Sequence, residues 1–491
     1  MKVLTKNSNE LVILAMKSDS IHKGDYLLIE DNCLNKKMIA QIYDEEYLSS
    51  QSLVEDIVRD EIITSLSTES LHDPLNIAKM SNMIRDARIF LTKMRASIDG
   101  NGKISADIRW IPSRVNSSLR RLTSIELSGY LGRAGLLPIK LGCTRGDKES
   151  FEIYAEDLDG KLNIVTGKKE SGKSHLTKIL ISDLIQYGAF VIVFDLNDEY
   201  GGISKNCDGS PSSLEKRVKI LRSDSGLNFS LKYCGKAAIS NMLRNALETP
   251  NASMREFFRI WDWLENRNNL KMEAFGKAVN TWNANELVRD ALVSRFHVMQ
   301  ASHLFLENDY GGFRFEDIFS NQNDGSAIVI SMGKMVPIVR RMVVELILNK
   351  LVDLLEKDII PPIFLFAEEA HMYIRETYWE DIITRMRHFG IYPTFITNQP
   401  DAIGDGIYRQ ADNIFLFNFT NDSDLEKISK VSLADSDTVK SLVKTLPHRS
   451  CLIIGKVVSD LPIVLEVAPL DTIALGETKK FFKISGVKVL K

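Results

Sequence analysis

Eight consecutive residues, Gly167-Lys168-Lys169-Glu170-Ser171-Gly172-Lys173-Ser174, follow the spacing G-x-x-x-x-G-K-S, a set of groups suited to holding a phosphate chain. Glycines let backbone N–H groups close around phosphate oxygens, and a helix starting there adds the positive end of its dipole. Lys173 is placed to reach the outer phosphates, and Ser174 to offer its hydroxyl to Mg²⁺. His175 follows, so Gly167 through His175 form the expected nucleotide-binding segment. The pattern carries meaning only between a strand and a helix. Leu162-Asn163-Ile164-Val165-Thr166 leads in as an apolar, strand-length run. Leu176, Ile179, Leu180, Leu184 and Ile185 then recur on one helical face.

Hydrolysis needs more than a phosphate cradle. Glu368 and Glu369 close the apolar run Ile363–Ala367. One carboxylate in such a pair orients the water that holds the metal, and the next polarises the attacking water. Glu368 is therefore assigned to the metal's surroundings with Ser174, and Glu369 to catalysis with Lys173. Gln399, at the end of the run Thr394–Thr397, is placed to sense the outermost phosphate or to position water. The segment Thr384-Arg385-Met386-Arg387-His388-Phe389-Gly390 carries two arginines. An arginine supplied by another subunit can stabilise charge on a transferred phosphoryl group. Arg387 is the first candidate for that role and Arg385 the second, with Arg340 and Arg341 behind them. ATP and Mg²⁺ are the cofactors these residues imply.

These residues must be carried by strands. Phe190–Phe194 ends at Asp195, Ala327–Ser331 is a further run, and Asn413–Phe417 another, with helical spacing between, as over Val339–Leu354. Apolar strands alternating with helices predict an α/β fold with a buried, mainly parallel sheet, whose ligands sit at the carboxyl ends of the strands. Residues 1–50 read as short strands separated by turns, a small barrel or sandwich. Residues 51–85 switch to helical spacing, and strands return at Ala87–Met94 and Ala106–Ile111. Residues 212–310 are mostly helical by pattern. The aromatic stretch Phe257–Leu264 within them reads as core in preference to a base-stacking platform.

With 491 residues, 44% of them hydrophobic and 26% charged, the chain has the make-up of a globular protein of two or three domains. A net charge of −3 excludes a global basic field, while leaving room for a channel lined by local lysines such as Lys205 or Lys334. The five cysteines are dispersed with no C-x-x-C pair, so neither a zinc site nor a disulfide framework is indicated. The first residues lack a signal-peptide pattern, and runs such as Ala189–Phe194 are of strand length. The expectation is a cytoplasmic protein without a membrane span. The end, Lys479 to Lys491, is a basic tail, either solvated or packed on a neighbour.

In order along the chain, the phosphate loop, Phe194-Asp195-Leu196-Asn197-Asp198-Glu199-Tyr200, Phe366-Ala367-Glu368-Glu369-Ala370-His371, Arg387-His388-Phe389-Gly390 and Thr397-Asn398-Gln399-Pro400 resemble the HerA branch of the HerA/FtsK ATPases. The resemblance implies a RecA-like P-loop ATPase core over 131–202 and 322–475. A helical insertion domain would occupy 203–321, an N-terminal β-barrel 1–130 with its own helical insertion near 51–85, and the basic tail 476–491. It further implies a hexameric ring, double-stranded DNA in the central pore, and a nuclease or other effector on the barrel face. The implied role is ATP-driven translocation of DNA in end processing or antiphage defence. The alternative is an ATP-regulated ring scaffold controlling an effector nuclease or an NAD-consuming enzyme. The chain departs from the family where Lys169 and Glu170 replace the usual Thr and Gly, and where His388 replaces a frequent Lys.

Overall fold

The computed structural model describes residues 1–47, 86–372, 385–473 and 475, apart from 17–18, 100–101, 103, 106–107, 133, 148, 309–310, 320–323, 420 and 432–433. The segments expected as a helical insertion (51–85) and a basic tail (476–491) lie outside these residues. The chain forms two compact units: one from 1–157, 167–172 and 412–468, the other from 158–166, 173–411 and 469–491.

The first unit opens with an antiparallel sheet of β1 (Lys2–Asn7), β2 (Glu10–Ala15), β3 (Tyr26–Asp31), β4 (Lys36–Tyr47), β5 (Arg88–Ile98), β6 (Ile104–Ser105) and β7 (Ser117–Arg121). Its order is β1-β2-β5-β4-β3-β7, with β6 on β5. Strand alternation sends Leu11, Ile13, Leu27, Ile29, Met38 and Phe90 into one core, and β7 reaches β1, curling the sheet into a half-barrel. The strand expected over Ala106–Ile111 does not form in its described part, 108–111. Lys6 Nζ donates to the carbonyls of Ile108, Arg109 and Trp110 at 3.2, 3.3 and 3.0 Å. One ammonium with three donors thus gathers three carbonyls that a ladder would have used. β8 (Pro138–Cys143) and β9 (Phe151–Tyr154) follow as an antiparallel pair.

The second unit holds a parallel sheet of β10 (Asn163–Thr166), β11 (Phe190–Asp195), β12 (Val218–Leu221), β13 (Ser326–Ser331), β14 (Ile363–Ala367) and β15 (Ile391–Thr397), in the order β12-β13-β11-β14-β15-β10. Apart from the edge strand β12, of which only Leu221 is buried, these strands are almost wholly buried, as apolar runs between helical layers must be. β12 falls inside the stretch read as helical, because three aliphatic residues with a single lysine among them are too short a run to show a strand period. Helices Leu231–Asn241, Asn251–Glu265, Met272–Thr281 and Glu286–Ala301 make up the rest of that stretch. In Asn251–Glu265, Met254, Phe257, Trp261 and Leu264 recur at helical spacing and are buried, while Trp263 faces out at 40% exposure with Arg267 over its ring at 3.8 Å. The aromatic stretch is therefore core, each buried ring contributing about 2–3 kcal/mol.

The first unit is completed by β16 (Asn413–Leu416), β17 (Ser450–Gly455) and β18 (Ile463–Val467), joined to β8 and β9 in the antiparallel order β16-β17-β18-β8-β9. The helix Ser436–Lys444 ties this part to the half-barrel. Asp435 caps it, accepting from Thr438 N at 3.0 Å. Arg95, on β5, donates to Asp435 Oδ2 at 2.7 Å, to Thr438 Oγ1 at 2.8 Å and to Gln41 Oε1 at 3.1 Å, with only 12% of its side chain exposed. Burial works to raise the Asp435 pKa, but the Arg95 charge and the cap bonds outweigh it, so the carboxyl sits below its usual value of 3.8. Its stabilisation is then present above that value and lost as pH falls through the folded pKa. Replacing Arg95 with Ala should cost about 2–3 kcal/mol at pH 7 by leaving the capping carboxylate unpaired. The cost should shrink at pH 3, as urea-unfolding midpoints at the two pH values will register.

Candidate functional site

Gly167–Gly172 joins the end of β10 to a helix that starts at Lys173 and runs to Gln186. Two glycines here are sterically required. A Cβ on Gly167 would lie 2.4 Å from Phe417 Cβ, and one on Gly172, at φ +119°, 3.0 Å from Phe417 Cε1. The loop is fastened by Lys168 N–H donating to Asn418 O at 3.0 Å and by Arg449 N–H donating to Ser171 O at 3.1 Å. Glu170, where the family often has glycine, takes the left-handed conformation at φ 61°. The loop thus keeps a glycine-like backbone with a residue that pays about 1–2 kcal/mol for it. Lys168, Lys169 and Glu170 are exposed, while Ser174 and His175 are half-buried in the first helical turn.

The acidic part of the site follows from strand register. β11 and β14 are parallel neighbours with Phe194 opposite Ala367. One step further on, Asp195 and Glu368 must stand side by side at the carboxyl edge. Both are buried, at 1% and 3% exposure. Asp195 accepts from the backbone of Glu199 and Tyr200 at 3.0 and 2.9 Å. Glu368 accepts from Leu196 N, Asn197 N and Asn197 Nδ2 at 3.1, 3.2 and 3.1 Å. Burial first, then the charges of Asp195 and Glu199, push the Glu368 carboxyl well above its ordinary range, and burial raises Asp195 and Glu199 as well. Glu199 also bonds the Ser174 hydroxyl and faces Lys178. Lys173, 8% exposed, is lowered by burial against the raising pull of Glu369, Glu368 and Glu199.

Glu369 is held differently. Its backbone is left-handed, φ 45°. Asn398 Nδ2 donates to Oε1 at 3.0 Å, and His371 Nδ1 lies 3.4 Å from Oε2 and 3.0 Å from Thr397 Oγ1. Burial lowers the His371 pKa against the pull of Glu369 and Asp401, so the ring is neutral at pH 7. Glu369 Oε2, Asn398 Oδ1 and Thr166 Oγ1 are buried without a hydrogen-bond partner among the described residues. Unpartnered polar atoms of this kind mark a place where a polar ligand or water belongs.

The structure thus brings Lys173, Ser174, Glu368 and Glu369 into one cluster. It adds Asp195, Glu199, Asn398 and His371, to which the sequence reading gave no role; the Asp195/Glu199 spacing after an apolar strand was the available signal. Gln399 is exposed at the tip of β15, and it is the preceding Asn398 that touches Glu369. Arg387 is half-buried in the helical turn 385–389, where Arg385 lies over the Phe389 ring at 5.2 Å. Arg340 donates to Met332 O and Gly333 O at 3.2 and 3.3 Å, and Arg341 to Glu248 Oε1 at 3.4 Å, so both are engaged within the chain. Lys205 and Lys334 are exposed.

Residues 165–351 match the protein-family model described as helicase HerA, central domain. VirB4 of Thermoanaerobacter pseudethanolicus is similar in structure at 14% identity and a TM-score of 0.52, over 69% of this chain and 98% of its own. The bacterial conjugative coupling protein TrwB is similar at 13% identity and a TM-score of 0.52, over 72% of this chain and 94% of its own. A TrwB structure in complex with ADP and Mg²⁺ is similar at 14% identity and a TM-score of 0.51, over 72% of this chain and 94% of that one. At these identities the likeness is one of fold. No curated protein matches the sequence. Among the described residues no helix is long and apolar enough to cross a membrane.

The buried acids carry a stability cost of definite sign. A carboxyl whose folded pKa is raised loses nothing below its ordinary value of 4.5 and destabilises the fold increasingly as pH climbs toward the folded value. Glu368→Gln keeps the acceptor for the Leu196 and Asn197 amides and removes the charge. It should raise the melting temperature by about 2–4 °C at pH 8 and by nothing below pH 4.5, as thermal unfolding across pH will report.

Proposed function

We propose that the protein hydrolyses ATP and couples it to movement of double-stranded DNA, a reading supported by the match of residues 165–351 to the HerA central-domain model and by a fold similar to those of VirB4 and TrwB. The observation that carries the reading is the cluster at the carboxyl edge of the parallel sheet. A buried lysine follows the phosphate loop, a serine hydroxyl stands beside it, and Glu369 is fixed by Asn398 and His371. The Ser174 hydroxyl, bonded by Glu199, is a hard oxygen donor of the kind Mg²⁺ takes, and the Thr166 and Asn398 oxygens, unpartnered among the described residues, suit a polar ligand. When bound, the ion neutralises phosphate charge and orients the phosphates. Lys173 then binds the outer phosphates, Glu369 accepts a proton from the attacking water at its carboxylate, and Asn398 keeps that carboxylate oriented. Gln399, at the tip of the same strand, senses the outermost phosphate.

The same reading has a hexameric ring with DNA in its pore, Arg387 completing a neighbour's site, and a nuclease or other effector on the half-barrel, in end processing or antiphage defence. Its domain limits are a barrel over 1–130, a core over 131–202 and 322–475, a helical insertion over 203–321 and a tail over 476–491, all in the cytoplasm. A second reading, a ring scaffold that uses ATP to control a nuclease or an NAD-consuming enzyme without processive movement, draws on one observation: the left-handed Glu170 in the phosphate loop.

Steady-state ATPase assays with and without long duplex DNA test the choice. Several-fold stimulation by DNA is expected, and indifference to DNA would favour the scaffold. Glu369→Gln should lower turnover at least about 100-fold while nucleotide still binds, whereas Lys173→Ala should lose binding. Arg387→Ala should bind nucleotide without hydrolysing it. Mixing it with Lys173→Ala subunits should restore part of the activity, and no restoration would count against an arginine acting across subunits.

A further inference from the structure

The phosphate loop rests on a turn that the sequence reading left without a role. Asn418 accepts from Lys168 N–H through its backbone carbonyl, and its side-chain amide donates to Lys444 O and Leu446 O at 3.3 and 2.8 Å. The loop is thus tied to the segment that enters the turn Pro447-His448-Arg449. From the far side of the turn, Arg449 N–H donates to Ser171 O at 3.1 Å. Arg449 Cα lies 3.2 Å from where a Cβ would stand on Gly172, the last loop residue before Lys173.

Arg449 is also an unusual choice for its position. Its φ is 62°, a conformation that glycine takes freely and that costs an arginine about 1 kcal/mol. The backbone contacts to Ser171 and Gly172 need no side chain, so glycine would serve them better. The arginine is exposed, and its guanidinium makes no hydrogen bond or ion pair with another described residue. A strained backbone residue that holds an uncommitted cation against a phosphate loop is a feature whose cost needs a functional offset. The loop itself supplies a reason: Glu170 brings a carboxylate to a cradle for anions, which weakens it.

We propose that Arg449 is a phosphate-binding residue contributed by the same chain, its guanidinium contacting the phosphates of a nucleoside triphosphate held by the loop and offsetting the charge of Glu170. A guanidinium is suited to this because it presents paired donors to phosphate oxygens. The inference rests on the reading of the loop as a nucleotide site, and it adds a cation in cis to the arginines expected from a neighbour.

Titration calorimetry with Mg²⁺ and either ADP or a non-hydrolysable ATP analogue, on the full chain, tests it. Arg449→Ala should weaken the analogue about tenfold and ADP less, and Arg449→Lys should recover part of the loss. Arg449→Gly is the deciding variant. It suits the left-handed backbone, so a merely structural arginine would give unchanged or tighter binding and a raised melting temperature, which would overturn the proposal. Loss of affinity in Arg449→Gly equal to that of Arg449→Ala, with the fold intact by melting, supports it. Wild-type protein that binds neither nucleotide would instead overturn the nucleotide-site reading together with this inference. Wild type that binds while the Ala and Gly variants match it would overturn the inference alone.

Discussion

Placing four carboxylates, two of them buried, beside two buried ammonium groups at one edge of a sheet is the constraint around which this site is built. The parallel register that sets Phe194 opposite Ala367 leaves Asp195 and Glu368 no choice but to be neighbours. The backbone amides of Leu196, Asn197, Glu199 and Tyr200 answer them with hydrogen bonds. Those bonds satisfy lone pairs but do not supply a full positive charge. Lys173 and Lys178 supply two, and both are themselves lowered by burial. The cluster is therefore held under electrostatic tension that a divalent cation would relieve, since a like-charged buried pair is costly until something neutralises it.

Non-glycine residues at positive φ are scattered along the chain, and three of them belong to the phosphate loop, the end of β14 and the turn Pro447-His448-Arg449. Glu170, Glu369 and Arg449 are non-glycine residues at φ 61°, 45° and 62°. Each costs about 1 kcal/mol that a glycine would not. Gly167 and Gly172, by contrast, sit where the Phe417 side chain leaves no room for a Cβ. Glycine is thus kept where sterics demand it and given up where only torsional preference is at stake. At Glu369 the substituted side chain faces the cluster. Glu170 in the loop and Arg449 in the turn that fastens it carry opposite charges.

Much of this was legible in the residues. The phosphate loop, the strand before it and the helix after it lie where the G-x-x-x-x-G-K-S spacing and the apolar runs put them, because burial on both faces leaves a continuous signature. The aromatic stretch at 257–264 follows helical periodicity and is core. The failures have local causes. β12 is four residues of mixed character, too short to show a period. Residues 108–111 have the composition of a strand, but the Lys6 ammonium captures their carbonyls from about a hundred residues away in sequence, and no window along the chain can see that. That Asn398 holds Glu369 carries no signal in the residues for a related reason. Which of two adjacent amides at a strand end reaches the Glu369 carboxylate is decided by the pleat, and the pleat's phase is fixed only once the neighbouring strand is in register.

The restraint on Glu369 bears on whether the site is made for turnover or only for occupancy. A carboxylate that merely balanced charge could point in any direction and would have no use for a left-handed backbone. Here the carboxylate is fixed from one side by the Asn398 amide and bounded on the other by a His371 ring that burial keeps neutral. A protonated imidazole at 3.4 Å would form an ion pair with Glu369, whereas a neutral ring limits its motion without one. Among the described residues Oε2 has no hydrogen-bond partner, which leaves it open to accept from a water. A scaffold that needed only bound nucleotide would gain nothing from that arrangement, and it would bear the torsional cost of Glu369 without return. The physical organisation of this one side chain therefore weighs toward hydrolysis, and it does so independently of the altered loop sequence that favours the opposite view.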